Sequence, residues 1–372
     1  MKSVLLFVIF LLVLVVTVLW VRHGGGEPYP NLSTAPRLSA NALEEVLSYQ
    51  EPIGNVTVNA GGRVFFTVHP AARPQGNKLL EYVDGASTPF PSVKQQAALF
   101  ETPLGIAIDR FDRLWVIDHG NYGTGQARIV AIDLSSSEVL RNQPFDESIA
   151  PLGSFLQDIQ ISADGKTAII ADASLWRKKP ALIVYDIESG VARRVLEGHP
   201  SVAAENYLIR SQGQNMVYLG GMVALRGGVD GIALSNSWLY YGALNGSGLY
   251  RVRLKELRDS ELSTSQLAIR VERYSDKPLS DGLSLDTAGN IYVTGIEHNA
   301  IFKIDRSRDV TTLIQSAKIR WPDALSFGPD GYLYVADSAL PEIILKPAEH
   351  IKANGPYRIF RFKAEFAGIP GQ

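Results

Sequence analysis

The chain contains no cysteine among its 372 residues. That absence excludes disulfide bonds, thiol nucleophiles and thiolate metal ligands. Histidine is also scarce: the six histidines are scattered without an HExxH pattern or another close pair, so a histidine-rich zinc site is not expected. The net charge is only −2, and no long run of like charge occurs. Nucleic acid is therefore not an expected partner, because its binding needs a basic surface.

The chain does have a long apolar run at its start. Lys2 precedes the segment from Val4 to Val21, which is apolar apart from Thr17 and is about 18 residues long, near the length that spans a bilayer. The residues that follow make a poor signal-peptide cleavage site. We predict an uncleaved signal anchor over residues 1–22, with a cleaved signal peptide as the alternative, and an extracytoplasmic location, periplasmic or secreted. The protein would contact a membrane through this helix only.

Residues 23–50 are predicted to form a linker. It opens with three glycines and a proline-rich stretch, a composition that favours a flexible tether. A short helix is expected within it, because Leu38, Ala42, Val46 and Tyr49 recur at helical spacing on one face. The main domain then covers residues 51–364, and a short tail covers residues 365–372.

Beyond the linker, one strand–turn–strand unit recurs along the chain. Its clearest copy is WPDALSFGPDGYLYVAD, from Trp321 to Asp337, where Pro-Asp-Gly between two β-rich runs is turn chemistry. The intervals between successive copies are, by subtraction, 50, 53, 73, 51 and 42 residues, which is typical of a propeller repeat. We predict an all-β, six-bladed β-propeller preceded by the N-terminal apolar helix. The six copies open at Gly54, Leu104, Gln157, Asp230, Asp281 and Asp323.

Other stretches of the domain complete this prediction. Third strands are expected at residues 129–134, 181–187, 248–254 and 300–304. The alternating stretch from Tyr357 to Phe362 is expected to supply the outer strand of the last blade or to close the ring. The longest interval contains an insertion, residues 199–216, which is expected to be functional or mobile.

The repeat also indicates a functional site. If the first strand of each copy is innermost, its opening residue lies at one channel mouth, where Asp230, Asp281 and Asp323 would meet. Close carboxylates repel one another unless a cation, a proton or water relieves them. We predict these three as catalytic residues, one of them with a raised pKa for acid–base work. The alternatives are capping of backbone N–H groups, a bound ligand amine, or one divalent cation, Ca²⁺ or Mg²⁺, held by Asp230 and Asp281.

Several other side chains are predicted to bind a ligand near the channel. Packing is the alternative role for Trp321. His119 is predicted at the opposite mouth, and its alternative is a loop histidine whose hydrogen bonds are satisfied locally. The predicted ligand-binding residues are Gln157, Asp158, Asn55, Trp321 and His119. A second set of aspartates ends the second strands and is interpreted as structural, closing turns at the far end of each blade: Asp118, Asp172 and Asp337.

The repeats resemble those of a known family. The stretches LWVID from Leu114, LRGGVDGIALS from Leu225, SDGLSLDTAGNIYV from Ser280 and IRWPDALSFGPDGYLYV from Ile319 are similar, in their order, to the Yellow/major royal jelly protein family. The resemblance looks like that of a bacterial member, since insect members commonly carry cysteines. It implies a six-bladed propeller and secretion. Family members include proteins linked to dopachrome conversion in melanin formation, binders of biogenic amines, and nutritional proteins.

A more distant resemblance is to the regucalcin/gluconolactonase propellers. They hold a divalent metal with Glu, Asn and Asp at the channel mouth. Asp281, followed by Gly282, matches their Asp-Gly motif, and Asp230 stands where they often have Asn. The glutamate expected in the first repeat is absent, because Gly54 occupies its place.

These observations lead to three functional hypotheses. The preferred one is an extracytoplasmic enzyme that acts on a small molecule at the acidic mouth, by tautomerase- or isomerase-type proton transfer or by metal-assisted lactone hydrolysis. The second is a non-catalytic binding protein for amines or other small ligands. The third is a scaffold for protein contacts. The chain is expected to be a monomer.

Overall fold

Six four-stranded antiparallel sheets, arranged as blades around a central channel, form the main body of the protein. The computed structural model describes residues 2–372 and confirms the predicted six-bladed propeller with an apolar helix before it. In each blade the first strand of the repeat is innermost, and the inner strands of neighbouring blades pack against one another. The predicted third strands are confirmed to within a residue or so at each end.

The strands follow one another in chain order around the ring. Strand β1 is Glu44–Tyr49. Blade one contains β2 Ile53–Val58, β3 Val64–Val68, β4 Leu79–Val83 and β5 Ala86–Pro89. Blade two contains β6 Pro103–Ile108, β7 Arg113–Asp118, β8 Arg128–Asp133 and β9 Val139–Pro144. Blade three contains β10 Leu156–Ile161, β11 Thr167–Asp172, β12 Ala181–Asp186 and β13 Ala192–Val195.

The insertion between blades three and four forms two small ribbons of its own. They are β14 Arg210–Ser211 with β15 Gln214–Asn215, and β16 Val217–Tyr218 with β17 Val223–Ala224. Blade four contains β18 Val229–Leu234, β19 Trp238–Ala243, β20 Gly248–Arg253 and β21 Glu272–Asp276. Blade five contains β22 Leu283–Leu285, β23 Ile291–Gly295, β24 Ala300–Ile304 and β25 Val310–Gln315. Blade six contains β26 Pro322–Phe327, β27 Tyr332–Asp337 and β28 Tyr357–Lys363.

Helices are few and mostly short. They are α1 Lys2–His23, α2 Val93–Leu99, α3 Gly120–Gly123, α4 Leu254–Arg258, α5 Thr264–Ala268 and α6 Ala348–Ala353. Single 3-10 turns lie at Ala40–Ala42, Pro70–Ala72, Leu219–Gly221, Pro329–Gly331 and Leu340–Glu342. By length and composition, Ser3–His23 of α1 could cross a membrane or serve as a signal sequence.

The short helix predicted within residues 38–49 is wrong, because Glu44–Tyr49 forms strand β1 and only a single 3-10 turn, Ala40–Ala42, precedes it. An isolated helix of that length is marginal in water, whereas the open edge of β28 offers a full row of backbone partners. Strand β1 pairs antiparallel with β28, and Leu47 lies in the core. It completes blade six, so β28 is the third strand there and not the outer one, and the propeller begins before residue 51.

The tail crosses the channel at the end where the inner strands finish. The carbonyl oxygen of Gly371 accepts a hydrogen bond from the backbone N–H of Ile108 at 3.0 Å. The Gln372 carbonyl accepts one from the N–H of Phe327 at 2.8 Å. In all, the last two residues bind inner strands of five blades through Thr57, Ile108, Ile161, Ser284 and Phe327. The channel is therefore closed at this end.

We expect Leu47→Ala to lower the free energy of unfolding by about 2–5 kcal/mol, because it removes a buried side chain from the strand that completes blade six. The matched control is Leu140→Ala in β9, since Leu140 also lies on an outermost strand but is 49% exposed and should cost roughly 0.5 kcal/mol or less. Chemical unfolding of the full chain in detergent measures both. Equal losses in the two variants would contradict the role of β1.

Candidate functional site

The inner strands begin with an irregularity that turns side chains toward the channel. The pairing of the first two strands shifts register at the start of blades one, two, three, four and six. A β-bulge of this kind leaves a residue out of the ladder and re-aims its side chain. The residues within these shifts include Asn55, Asp158, Asp230 and Asp323. The predicted site residues are thus largely bulge residues.

Blade five also directs an aspartate toward the channel, but its local structure differs from that of the other blades. Asp281 precedes β22, and the backbone N–H groups of Asp281 and Gly282 both donate to the Thr294 hydroxyl, at 2.9 and 3.0 Å. The glycine after the aspartate is required by packing: a Cβ on Gly282 would lie 2.6 Å from the Asp323 carbonyl oxygen, and one on Gly231 would lie 2.2 Å from that of Asp281. The Asp-Gly pairs therefore allow neighbouring inner strands to approach closely.

Four carboxylates meet in the channel. The predicted trio of Asp230, Asp281 and Asp323 is brought together, with Asp158 as a fourth member, around a cavity of about 20 Å³. Asn55 and Gln157 also line this cavity. A volume of this size holds about one water molecule or ion, so a substrate cannot lie inside the ring of carboxylates itself.

Burial dominates the electrostatics of these groups. It raises the pKa of Asp158 to about 7, and it does the same for Asp281. Burial, followed by the charge of Asp281, raises the pKa of Asp230 and that of Asp323 well above the usual range. Near neutral pH the cluster therefore retains protons, and Asp158 and Asp281 are the members able to exchange them.

Each carboxylate has a different set of partners. Trp321 is fully buried and donates its indole N–H to Asp281 Oδ2 at 2.7 Å, so it positions this carboxylate instead of forming a cavity wall. Asp158 accepts backbone N–H groups from Ile159 at 2.8 Å and from Ile232 of blade four at 3.1 Å. Among residues 2–372, nothing hydrogen-bonds the buried Oδ2 atoms of Asp230 and Asp323.

Lys277 is a member of the site that sequence reasoning missed. Its side chain is completely buried, and its Nζ donates to the Pro278 carbonyl at 3.1 Å and to Ser280 Oγ at 2.9 Å. Burial lowers the pKa of this ammonium group to about 7, and the charges of Glu205, Asp230 and Asp281 oppose that change. Its closeness to Asp281 along the chain was the only signal available in the sequence.

A larger cavity, called here the mouth cavity, lies where the inner strands begin. Its volume is about 280 Å³, near the lower end of the range for small-molecule sites, roughly 300–1,000 Å³. Tyr122 and Phe155 pack against each other in its wall, with ring centroids 4.9 Å apart and the ring planes inclined at 34°. Gln157 and Asp281 border both this cavity and the ring of carboxylates. A ligand in the mouth cavity would therefore meet Asp281 first.

His69 and His119, near this mouth, are held in neutral form. Burial lowers the pKa of His69 to about 3, and its Nε2 lies 3.7 Å from Asp323 Oδ2. Burial also lowers the pKa of His119 to about 3. His119 borders neither cavity; its Nδ1 accepts the N–H of Tyr122 at 2.9 Å, and its ring packs on Phe155. It supports the aromatic wall from behind.

The predicted location of His119 at the opposite mouth is wrong, as is that of three aspartates at the far end of the blades. An antiparallel hairpin returns the end of its second strand to the start of its first, as the pairing of Pro103 with Asp118 demonstrates. These aspartates accept backbone N–H groups from residues just before the inner strands. The bonds run from Thr102 to Asp118 at 3.0 Å, from Phe155 to Asp172 at 2.7 Å and from Trp321 to Asp337 at 2.7 Å.

A divalent cation was predicted at Asp230 and Asp281. Within the described part of the chain, no three His, Cys, Asp or Glu side chains are arranged to hold a metal ion. The donor set nevertheless has the right chemistry, because all its ligands are oxygens and two carboxylate oxygens lack partners. The residues therefore fit a hard cation in chemical type, but the positions of Asp230, Asp281 and Asp323 do not form a metal-binding arrangement.

Comparison with known proteins agrees with the fold. The sequence model of the family described as "Major royal jelly protein" matches residues 102–363. Major royal jelly protein 6 of Apis mellifera is 28% identical over 175 residues, covering 44% of this chain and 38% of the relative. The chain spans less than half the length of the curated relatives it matches.

Solved structures share the architecture at low sequence identity. A gluconolactonase from Xanthomonas campestris aligns with a TM-score of 0.52 at 13% identity, covering 91% of this chain and 98% of that one. A calcium-binding protein, regucalcin, from Agrobacterium tumefaciens aligns with a TM-score of 0.53 at 14% identity, covering 91% and 99%. These likenesses establish a shared fold.

We predict that Trp321→Phe raises the pKa of Asp281 further, by about one unit or more, because the charged carboxylate loses its indole donor. Trp115→Phe is the control, since Trp115 makes an equivalent bond of 2.8 Å to Asp109 outside the channel. Titration of ¹³C-labelled aspartate carboxyls by NMR measures the change. An unshifted Asp281 in Trp321→Phe would refute the positioning role.

The raised carboxylate pKa values also predict a pH dependence of stability. The folded state retains protons on Asp158 and Asp281 that the unfolded chain releases near pH 4, so the contribution of these carboxyls to stability should fall as pH rises from about 4 to about 7, while the lowered pKa values of His69 and His119 act in the opposite direction. Asp281→Asn should reduce that fall by roughly 2–4 kcal/mol and stabilise the protein at pH 8. Thermal unfolding across the pH range tests this, with Asp109→Asn as the control at a buried carboxylate outside the channel.

Proposed function

The chain belongs to the major royal jelly protein family, and from that premise we propose that it is an extracytoplasmic enzyme that transfers a proton within a small molecule held in the mouth cavity. The observation that carries this proposal is Asp281, a carboxyl with a pKa of about 7 at the boundary between an apolar cavity and a buried acidic cluster. A general acid–base group works best when its pKa lies near the working pH. The apolar helix α1 supports export.

The residues around the mouth cavity have separate roles in such a reaction. The rings of Tyr122 and Phe155 hold the apolar body of the substrate, and the Gln157 amide orients a carbonyl or hydroxyl oxygen. Asp281 removes a proton from the carbon next to that oxygen and returns it at another position, as a tautomerase or isomerase does. Asp158 titrates in the same range and exchanges the proton within the cluster.

Lys277 and Trp321 keep Asp281 competent for this exchange. The indole donor of Trp321 and the nearby ammonium group of Lys277 both favour the charged form of Asp281, against the effect of burial. Without them the carboxyl would hold its proton too tightly to act as a base near neutrality. Their positions therefore tune the pKa of Asp281 toward the working range.

Lactone hydrolysis with a divalent cation is the second candidate. It is favoured by the two unpaired carboxylate oxygens of Asp230 and Asp323 and by the gluconolactonase and calcium-binding protein of similar fold. Asp230, Asp281 and Asp323 would hold the cation, which would polarise a substrate carbonyl. Capture of an amine without turnover is the third candidate, since the same cavity combines an apolar wall with acidic groups below it.

We expect Asp281→Asn to lower kcat for proton transfer by about 10²–10⁴-fold while changing ligand affinity much less. The assays use aminochrome and enol tautomers for proton transfer, gluconolactone for hydrolysis, and dopamine for binding without turnover. In the wild type, activity should change with a midpoint near pH 7. Asp109→Asn is the control, because Asp109 is a buried carboxylate outside the channel.

The outcomes separate the three candidates. Turnover of tautomers that needs no added metal and is lost in Asp281→Asn supports proton transfer. Turnover of lactone only after Ca²⁺ or Mg²⁺ is added, with metal found in the purified protein by elemental analysis, supports hydrolysis. Dopamine binding without turnover of any probe supports capture. If Asp281→Asn changes neither binding nor turnover, the channel is not the functional site.

A further inference from the structure

The C-terminal end of helix α1 is fastened to the rim of the mouth cavity. Arg22 donates to the backbone carbonyl of Arg177 at 3.1 Å, and Arg226 of the insertion donates to that of Gly25 at 2.9 Å. His23 itself lines the mouth cavity. The one described helix apolar enough to cross a membrane therefore ends where the cavity opens.

Exposed apolar side chains surround this opening. They come from loops within and between blades and from the insertion, and together they are called the apolar rim. Trp176, Leu219 and Leu345 line the mouth cavity and are still 52%, 54% and 65% exposed. The rim consists of Leu152, Trp176, Leu219 and Leu345, of which Leu152 is 76% exposed. Apolar and Trp side chains arranged in this way are typical of surfaces that enter the interfacial region of a bilayer.

A cluster of cations lies beside the same opening. Arg22, Lys178 and Arg226 line a cavity of about 400 Å³ that no described aspartate or glutamate borders. The buried Nε of Arg226 has no hydrogen-bond partner among the described residues. Burial, followed by the charges of Arg226 and Arg22, lowers the pKa of Lys178 to about 8. Each of the three side chains donates to a backbone carbonyl, but no described acidic side chain at this cavity balances their charge. Such a site suits an anion, and a basic site next to a membrane helix attracts anionic lipid headgroups.

We propose that the mouth of the channel rests on the membrane surface, with the apolar rim in the headgroup region, an anionic phospholipid headgroup among Arg22, Lys178 and Arg226, and a ligand that enters the mouth cavity from the bilayer. The helix end fixes one point of the propeller at the membrane. The rim and the cations are two further features on the same side, so the three together set the orientation. The membrane contact stands by itself, and the ligand class rests on the proposed function.

The class of ligand follows from the path. A molecule that reaches Asp281 from the lipid interface passes Trp176, Leu219 and Phe155 before it meets a carboxylate. It must partition into a bilayer and carry a small polar or cationic end on an apolar body. A freely water-soluble polar sugar derivative does not fit this route.

The membrane contact is tested with single cysteines, because the chain has none of its own. Nitroxide labels are placed at Leu152→Cys, Leu219→Cys and Leu345→Cys in the full chain, in nanodiscs of phosphatidylcholine and phosphatidylglycerol. Controls are Phe111→Cys and Val191→Cys, which are 49% and 58% exposed and lie on turns at the opposite end. Rim labels should collide more with oxygen than with a water-soluble nickel chelate, and control labels the reverse. Water-like behaviour at all five positions would overturn the proposal.

The headgroup site is tested by lipid composition. The thermal midpoint of the full chain should be higher in nanodiscs with phosphatidylglycerol than in pure phosphatidylcholine, and Lys178→Gln should abolish most of that difference. Lys166→Gln on the opposite end is the control and should retain it. An unchanged lipid effect in Lys178→Gln would remove the headgroup from the proposal. Detection in cells of a mature chain that begins beyond Val21 would overturn the anchored orientation as a whole.

The ligand class has its own test. Hexylamine should bind the full chain about an order of magnitude more tightly than butylamine, since each buried methylene contributes about fourfold. Equal affinities would refute access by a lipophilic ligand while leaving the acid–base role of Asp281 standing. Conversely, Asp281→Asn should leave the label accessibilities unchanged. A failure of the proposed function and a failure of the membrane contact are thus told apart.

Discussion

The close approach of six inner strands around one axis is the constraint on which the site depends. The glycines after Asp230 and Asp281 let the backbone of one blade come within contact distance of the next, and register shifts turn Asp158, Asp230 and Asp323 inward. Four carboxylates then share a space that holds about one water molecule. The packing that closes the ring is also what creates an acidic, nearly dry centre.

Burial of four carboxylates in this centre destabilises the folded state, and three features reduce that destabilisation. Protons remain on carboxyls whose pKa values burial has raised, and the buried Lys277 places one positive charge next to them. The Trp321 indole supplies a hydrogen bond to Asp281. These measures do not satisfy every polar atom of the cluster, because the Oδ2 atoms of Asp230 and Asp323 have no hydrogen-bond partner among the described residues. Such residual strain is typical of sites that have been retained for chemistry and not for stability.

Much of the fold could be predicted from the sequence because the repeat is local. Strand, turn and strand lie within about fifteen residues. A copy such as the one from Trp321 to Asp337 can therefore be recognised in the sequence without long-range information. The meeting of the aspartates in the channel was predicted because they open equivalent strands in successive copies of the repeat. By contrast, β1 was missed because its partner β28 lies over three hundred residues away, and helical spacing of four apolar residues was the only signal nearby.

The parts of the site that were missed depend on three-dimensional contacts. Lys277 joins the carboxylates only through the packing of blades four and five, and the mouth cavity is built from loops of several blades together with the insertion. The location of His119 was wrong for a simpler reason, since hairpin geometry alone places it on the same side as the inner-strand openings. Sequence patterns thus identified the residues of single repeats and not their neighbours across the ring.

Closure of the channel by Gly371 and Gln372 has a kinetic consequence. The channel is open at one end only, so a ligand must leave by the route through which it entered. Under the proposed function, a departing product and an arriving substrate would share this one opening, and their exchange would limit turnover when product accumulates.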